Sequence, residues 1–332
     1  MKPRRSGSGS LGAKTRAEAE IKVRELDAPS VEKPATRHTW PEFKELFLES
    51  VGSELASSTK NNYGANLDAM GRFLETRKVT FVDEITLLNL EGFKLWRIEQ
   101  EGVLESTVFT DYLVIRSAFR WGSKASRGIF RSDPSIDWKM KAPPAVKQPC
   151  YTRADIEALE TGATPWLRPI ITALAWTGVR INELCNLRWK DVNLESELIH
   201  IRCQEHWKPK GRKDRSIPML PKVADVIRSR PVGELVFRAA RGGKLHRDYV
   251  LRRLKLDLKK LGLPEENTIH GFRRHFATQM MRRGIDLKTI QQWGGWTSLV
   301  TLQRYLAELE AEDSVNSMKK VAAQLSLEKA TA

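Results

Sequence analysis

Between Gly122 and Pro149 the periodic apolar pattern of this chain breaks, and the break divides whatever can fold into two parts. The stretch holds Asp133-Pro134, Pro143-Pro144 and Pro149, interleaved with Lys139, Lys141 and Lys147. Proline fixes φ and removes a backbone donor, so such a run reads as a connection rather than the interior of a helix or strand. The chain has 332 residues, and at roughly 150 residues per domain two domains are expected. We place a linker at 126–149, between one domain at 38–125 and another at 150–325. Residues 1–37 are rich in Lys, Arg, Gly, Ser, Ala and Pro and lack aromatic side chains. They read as a flexible basic tail, with a short helix around 15–26, that either touches a polyanion or is simply solvated.

The first domain reads as a bundle of four or so helices. Phe43, Leu46 and Phe47 fall on one helical face. Thr59 is the expected N-cap of a second helix, whose stripe is Tyr63, Leu67, Met70 and Phe73 or Leu74. A third runs over 84–98 with Leu87, Leu90 and Phe93. Ser106 caps a fourth that carries Phe109, Tyr112, Leu113, Arg116, Phe119 and Arg120.

The second domain mixes helix and strand. Thr152 is a candidate N-cap for a helix over 153–160, and an apolar helix over 166–176 stops at Gly178. Arg180 opens the next helix, with Ile181, Leu184 and Leu187 inward. Leu198–Cys203 and Arg215–Met219 alternate as strands around a polar turn, which predicts a β-hairpin with Pro218 at an edge or strand end. Leu235-Val236-Phe237 reads as a further short strand. Helices follow over 247–261, 270–283, 287–293 and 299–310, then an amphipathic one with Val315, Met318, Ala322 and Leu325. The fold class is mainly α with a small antiparallel β-sheet.

The charge narrows the partner. Lys and Arg number 56 against 41 Asp and Glu, a formal net charge of +15, which favours a polyanion because each neutralised phosphate releases counterions. The three cysteines, Cys150, Cys185 and Cys203, are too few and too scattered for a disulfide framework or a Cys-rich zinc site. Met1-Lys2-Pro3-Arg4-Arg5 precedes no apolar run, so no secretory signal is read there. Apolar runs such as 170–176 are far short of a membrane span. The expected location is cytoplasmic, with no membrane partner.

Several residues can carry chemistry. Arg180 follows the helix end at Thr177-Gly178, a place from which a guanidinium fork can hold phosphate oxygens. The alternative is a surface pair with Glu183, three residues on. His270 and Arg273 share a face at a helix start, where an anion is favoured and an imidazole can move a proton; the alternative is an exposed end of an Arg-rich segment. Lys208 and Lys210 lie in the hairpin turn, as groove-reaching or proton-donating amines or as solvated charges. Trp296 follows Gly294-Gly295 and offers one N–H donor, or simply packs. Tyr305 is a phenol that needs electrostatic help to become a nucleophile, or a partly buried packing residue.

Taken together, these residues resemble the tyrosine recombinase (phage integrase) family. Thr177-Gly178-Val179-Arg180-Ile181-Asn182-Glu183-Leu184 is similar to its first arginine motif, and His270-Gly271-Phe272-Arg273 to its His-x-x-Arg box. Gly294-Gly295-Trp296 and Thr301-Leu302-Gln303-Arg304-Tyr305 resemble its nucleophile segment. Lys210, before Arg215 and Ile217-Pro218, matches the hairpin lysine better than Lys208 does. The region 39–121 is similar to the family's helical core-binding domain, which would precede an α+β catalytic domain. Many members carry histidine at the position of Trp296 and some tryptophan.

The resemblance implies a site-specific recombinase acting in DNA integration or mobile-element recombination. Tyr305 would attack a scissile phosphate to leave a 3′-phosphotyrosyl bond and a free 5′-hydroxyl. Arg180 and Arg273 would neutralise the non-bridging oxygens, and Trp296 would add a hydrogen bond. Lys210 would protonate the leaving oxygen, His270 would assist deprotonation of Tyr305, and Glu183 would support the site from behind. Lys208, Arg215, Arg116 and Arg120 are the candidate DNA contacts. No cofactor and no metal are implied, and the sequence shows neither a Walker loop nor an acidic metal cluster. The implied partners are double-stranded DNA bearing recombination sites, three further copies of the chain in a homotetramer, and an accessory directionality protein. Competing readings are a type IB topoisomerase-like enzyme, a non-catalytic DNA-binding regulator and a metal-dependent transposase.

Overall fold

The computed structural model describes residues 37–52, 55–144, 149–205, 207, 209, 213–303 and 318–319. The chain separates into two compact units, Met1–Ala145 and Val146–Ala332.

In the first unit the described helices are α1 (Trp40–Gly52), α2 (Ser57–Thr76), α3 (Leu87–Glu99) and α4 (Glu105–Gly122), with a 3-10 turn at Val82–Glu84. Their core is aromatic. Phe43, Phe73, Phe93 and Phe119 are fully buried together with Leu67, Met70 and Leu90. Leu46 is 39% exposed, because it lies roughly 90° around the helix from the Trp40–Phe43–Phe47 line at 3.6 residues per turn. Leu113 is exposed as well. Thr59 is not a cap: α2 begins two residues earlier, with Ala56 at the cap position and the Ala56 carbonyl accepting from Thr59 and Lys60. Likewise α4 starts at Glu105 after Leu104, and α3 is capped by Thr86, whose hydroxyl accepts from Asn89 N–H.

The segment expected to begin a linker at 126 instead completes this first core. Ile129, Phe130 and Trp138 are buried in it. Phe130 meets Phe43 edge-on at 5.2 Å, and Trp138 meets Tyr112 at 4.8 Å. Three large apolar side chains among the prolines outweigh the turn signals, since burying each stabilises by about 1.5–3 kcal/mol.

The second unit contains α5 (Arg153–Gly162), α6 (Arg168–Thr177), α7 (Ile181–Cys185), a 3-10 turn at Trp189–Asp191, and strands β1 (Val192–Asn193), β2 (Leu198–Ile201) and β3 (Arg215–Pro218). Then follow α8 (Pro221–Arg228), α9 (Arg247–Lys260), α10 (Ile269–Arg282), α11 (Leu287–Gly294) and α12 (Leu299–Gln303). Thr152 caps α5 in a capping box with Asp155. The sheet has the order β1-β2-β3, antiparallel throughout, with Ile199 opposite Ile217 and Ile201 opposite Arg215. Ile199, Ile201 and Ile217 point into the core, as period-two alternation requires. Pro218 sits on the edge strand β3. The sheet gains β1, which the sequence reading lacked. Leu235–Phe237 forms no strand; Leu235 makes an isolated bridge to Arg188, and Val236 N–H donates to the Leu187 carbonyl. Helix α8 was also missed. The expected helices around 15–26 and 315–325 lie outside the described residues, apart from Met318 and Lys319, which are helical and exposed.

Helix α10 runs through the middle of this unit, with Phe272, Arg273, His275, Phe276 and Ala277 all buried. Burial around most of a helix, here of polar as well as apolar side chains, marks a core position. It lies against α6, whose last turn ends at Gly178 with φ 64°. A Cβ at Gly178 would overlap the Phe276 ring, so this turn needs both the left-handed backbone and the missing side chain. Gly178→Ala should therefore cost about 2–4 kcal/mol, combining a left-handed non-glycine residue with overpacking. Urea denaturation of the full chain should show that loss.

Candidate active site

Arg180 is the N-cap residue of α7, two positions past the Gly178 turn. Its backbone N–H donates to Glu183 Oε2 at 2.8 Å and its Nη1 to Glu183 Oε1 at 2.9 Å. The pairing foreseen as a surface contact is therefore buried at one end: the Glu183 side chain is 1% exposed and that of Arg180 21%. Arg180 Nη2 donates to the Gly295 carbonyl at 2.8 Å. Arg273, from the first turns of α10, is buried as well. It donates to the carbonyls of Gly178 and of Gly294, the latter at 2.8 Å, and its guanidinium lies 4.4 Å from the Trp296 ring centre.

The two arginines thus meet on one turn, the end of α11. Gly295 adopts φ 66°, and a Cβ on Gly294 would overlap the Trp296 ring. Both glycines are needed: one for the left-handed cap, the other to admit the buried indole. His270 stands at the solvent-facing start of α10, its backbone N–H donating to Thr268 Oγ1 at 3.3 Å. Helix α12 carries the buried Leu302 and is described to Gln303. Lys208, Lys210 and Tyr305 lie outside the described residues.

Arg215 departs from its expected place among the DNA contacts. It stands on β3 opposite Ile201, and its side chain is only 10% exposed. All three of its nitrogens donate inward. Nη1 and Nη2 reach the two Glu183 oxygens at 3.1 and 2.5 Å, and Nε reaches the Trp293 carbonyl at 2.8 Å. Alternation explains this: in β3 the arginine shares a face with the buried Ile217. Arg116 and Arg120 belong to the first unit. Arg116 is half-buried and donates to Tyr112 Oη at 2.6 Å, whereas Arg120 is exposed in the last turn of α4.

Burial alone would raise the Glu183 carboxyl. The Arg215 hydrogen bonds and charge, then the Arg180 charge, outweigh it and hold the group below its usual range. The group is an anion shared by two guanidiniums.

A family model described as the Phage integrase family matches residues 154–312. The tyrosine recombinase XerC of Rhodospirillum centenum is 30% identical over 256 residues, covering 70% of this chain and 71% of that protein. The chain belongs to the phage integrase (tyrosine recombinase) family. The tyrosine recombinase XerA of Pyrococcus furiosus is 37% identical over 146 residues, 42% of this chain and about half (49%) of that protein's length. The fold resembles that of a lambda integrase dimer bound to a COC′ core site, with TM-score 0.68 at 18% identity over 89% of each chain.

Two contributors to this candidate site escaped the sequence reading. One is the inward role of Arg215, whose signal was its even spacing from Ile217. The other is the pair Arg274 and His275. Arg274 donates to the Pro149 carbonyl at 2.8 Å, and His275 Nδ1 lies 2.9 Å from the Tyr151 carbonyl. They tie the start of the second unit to the helix that carries His270 and Arg273. A carbonyl only accepts, so the neutral His275 ring carries its proton on Nδ1.

Burial lowers the His275 pKa, with the Tyr151 bond acting the other way. In the unfolded chain the ring takes a proton near the ordinary value of about 6.5. The folded chain resists protonation until a lower pH, so the stability tied to this group is whole above about 6.5 and lost as pH falls through that window. Urea midpoints should drop more between pH 7.5 and 5.5 for the wild type than for His275→Asn; equal drops would refute the assignment.

Proposed function

We propose that this chain is a site-specific DNA recombinase that breaks and rejoins strands through a 3′-phosphotyrosyl intermediate, with Tyr305 as nucleophile. The observation that carries the reading is the convergence of Arg180 and Arg273 on the Gly294-Gly295 turn beside Trp296. Guanidiniums from two distant stretches of sequence are held within one turn of each other by buried partners. Such preorganised donors stabilise charge building on the non-bridging oxygens of a phosphodiester.

The chemistry is one exchange. Tyr305 Oη forms a bond to phosphorus while the bond from phosphorus to the 5′-oxygen breaks. His270 accepts the phenol proton, and Lys210 supplies a proton to the leaving oxygen. One phosphodiester replaces another, so no external energy source enters the balance. Trp296 serves as a donor from its indole N–H.

Other tyrosines suit the nucleophile's role poorly. Five are present in the sequence. Tyr151 is buried, and that burial drives its phenol away from ionisation. Tyr112 accepts from Arg116 and packs in the first core, Tyr63 stacks on Phe47, and Tyr249 stacks on Trp166. That leaves Tyr305, which lies outside the described residues.

The partner is DNA, in keeping with the net charge of +15 and with the lambda integrase dimer described on a core site. Assembly as a homotetramer on two sites is part of the proposal; a lambda integrase tetramer bound to a Holliday junction has a similar fold, with TM-score 0.65. An accessory directionality protein and a nucleoid-associated location complete it. Among the described residues no helix is long and apolar enough to cross a membrane.

The test uses a nicked suicide duplex carrying the sequence that the protein selects from a random DNA pool, with EDTA present. Wild type should form a covalent adduct on denaturing gels and Tyr305→Phe none. Arg180→Ala and Arg273→Ala should slow adduct formation by about 10²–10³-fold, the usual cost of removing one transition-state donor. An adduct persisting in Tyr305→Phe would move the nucleophile elsewhere. Relaxed circles without recombinant junctions would make the enzyme topoisomerase-like.

A further inference from the structure

The last turn of α11 ends in carbonyls that its own backbone cannot satisfy, as every helix does. Two of them, on Gln291 and Gln292, accept from Trp296 and Gly295 N–H in a glycine-capped turn. The next three point to three different arginines. Trp293 O accepts from Arg215 at 2.8 Å, Gly294 O from Arg273 at 2.8 Å, and Gly295 O from Arg180 at 2.8 Å. The three come from β3, α10 and the head of α7, elements far apart in sequence. The negative end of a helix favours cations at this location.

Arg215 differs from the other two. It grips both oxygens of Glu183 with its guanidinium fork, whereas Arg180 reaches the same two oxygens with its backbone N–H and a single side-chain nitrogen, Nη1. A two-point fork on a nearly fully buried carboxylate fixes its plane as well as its position. That plane decides where Arg180 Nη1 can sit. Through its Nε bond to Trp293, the same side chain also fixes the turn that carries Gly294, Gly295 and Trp296.

We propose that Arg215 is a positioning residue for strand cleavage: it sets the Arg180 guanidinium through Glu183 and the Arg273–Trp296 pair through the Trp293 carbonyl, and it does not contact DNA. This rests on the phosphotyrosyl reading above. Arg215 outranks Arg180 among the groups that keep the Glu183 carboxyl ionised, which agrees with its being the chief partner of that anion. Lysine cannot replace it, because an ammonium offers no planar fork to span the two carboxylate oxygens and the carbonyl.

The experiment compares wild type, Arg215→Lys, Arg215→Met, Glu183→Gln and the double variant Glu183→Gln/Arg215→Met on the selected suicide duplex. Equilibrium DNA binding across a salt series and single-turnover cleavage are both measured. Binding and its salt slope should match wild type for both Arg215 variants. Cleavage should fall about 10–100-fold in Arg215→Met, somewhat less than for loss of a direct donor, and Arg215→Lys should recover little of it. The double variant should be no slower than the slower single variant, as expected for residues acting in one chain.

A methylphosphonate at the scissile position supplies the readout that a purely structural role would not move. It removes the charge on one non-bridging oxygen, and with it part of the demand on Arg180. The deficit of Arg215→Met relative to wild type should shrink on this substrate, in parallel with that of Arg180→Ala. An unchanged deficit would overturn the proposal in favour of general destabilisation, and Arg215→Lys, which keeps the charge, gives the same comparison if the Met variant folds poorly. A salt slope reduced by about one phosphate contact would overturn it in favour of a DNA contact. Wild-type cleavage with unimpaired Arg215 variants would overturn it alone, whereas no adduct from wild type would sink the phosphotyrosyl reading beneath it.

Discussion

The candidate site in the second unit is organised around a buried anion, Glu183. Glu183 is almost wholly removed from water, and an isolated carboxylate there would be expensive enough to neutralise or to unfold its surroundings. Two guanidiniums prevent that, and each arrives from a different direction. Arg180 is brought by the turn at Gly178, and Arg215 by the pleat of β3. Because neither the anion nor the cations can be satisfied alone, α7, β3 and the end of α11 are fixed together. Such a network is weak as a source of net stability but strong as a source of geometry, since few arrangements satisfy every donor. Geometry is what a phosphoryl-transfer site needs, because most of its catalysis is positioning and electrostatics.

Legibility in the sequence divides along the same lines. Elements set by local rules were readable: the N-cap at Thr152, the stop at Gly178, the alternation of Ile199, Ile201 and Ile217. The positions of Arg180 and Arg273 were readable through their motifs. Tertiary competition decided the rest. Phe130 and Trp138 turned an apparent linker into core, because proline signals describe the backbone and say nothing of what a large aromatic can bury. Leu235–Phe237 has strand-forming residues, but its backbone pairs with the Arg188 region through one bridge rather than a ladder. Arg215 was assigned to DNA on its charge. Its neighbours in the strand, rather than its charge, determine the face it shares.

The same competition accounts for the Gly-Gly-Trp sequence. Gly294, Gly295 and Trp296 act as a unit: the indole occupies the space that a Gly294 side chain would fill, and its face lies under the Arg273 guanidinium. A guanidinium over an indole gains cation–π attraction, more so where water is excluded. Arg273 is therefore confined by the Trp296 ring and by two carbonyls at once. An imidazole at 296 would present a smaller ring and a second nitrogen able to take up a proton. Tryptophan gives a broader platform and a donor with no proton to exchange near neutral pH. In the proposed chemistry the proton movements then rest on Lys210 and His270, while the fixed positive charge rests on Arg180 and Arg273. The division follows from burial: His270 sits at the solvent-facing start of its helix, whereas Arg273, one turn on, is sealed in. One helix thus carries an exposed imidazole and, one turn on, a buried guanidinium.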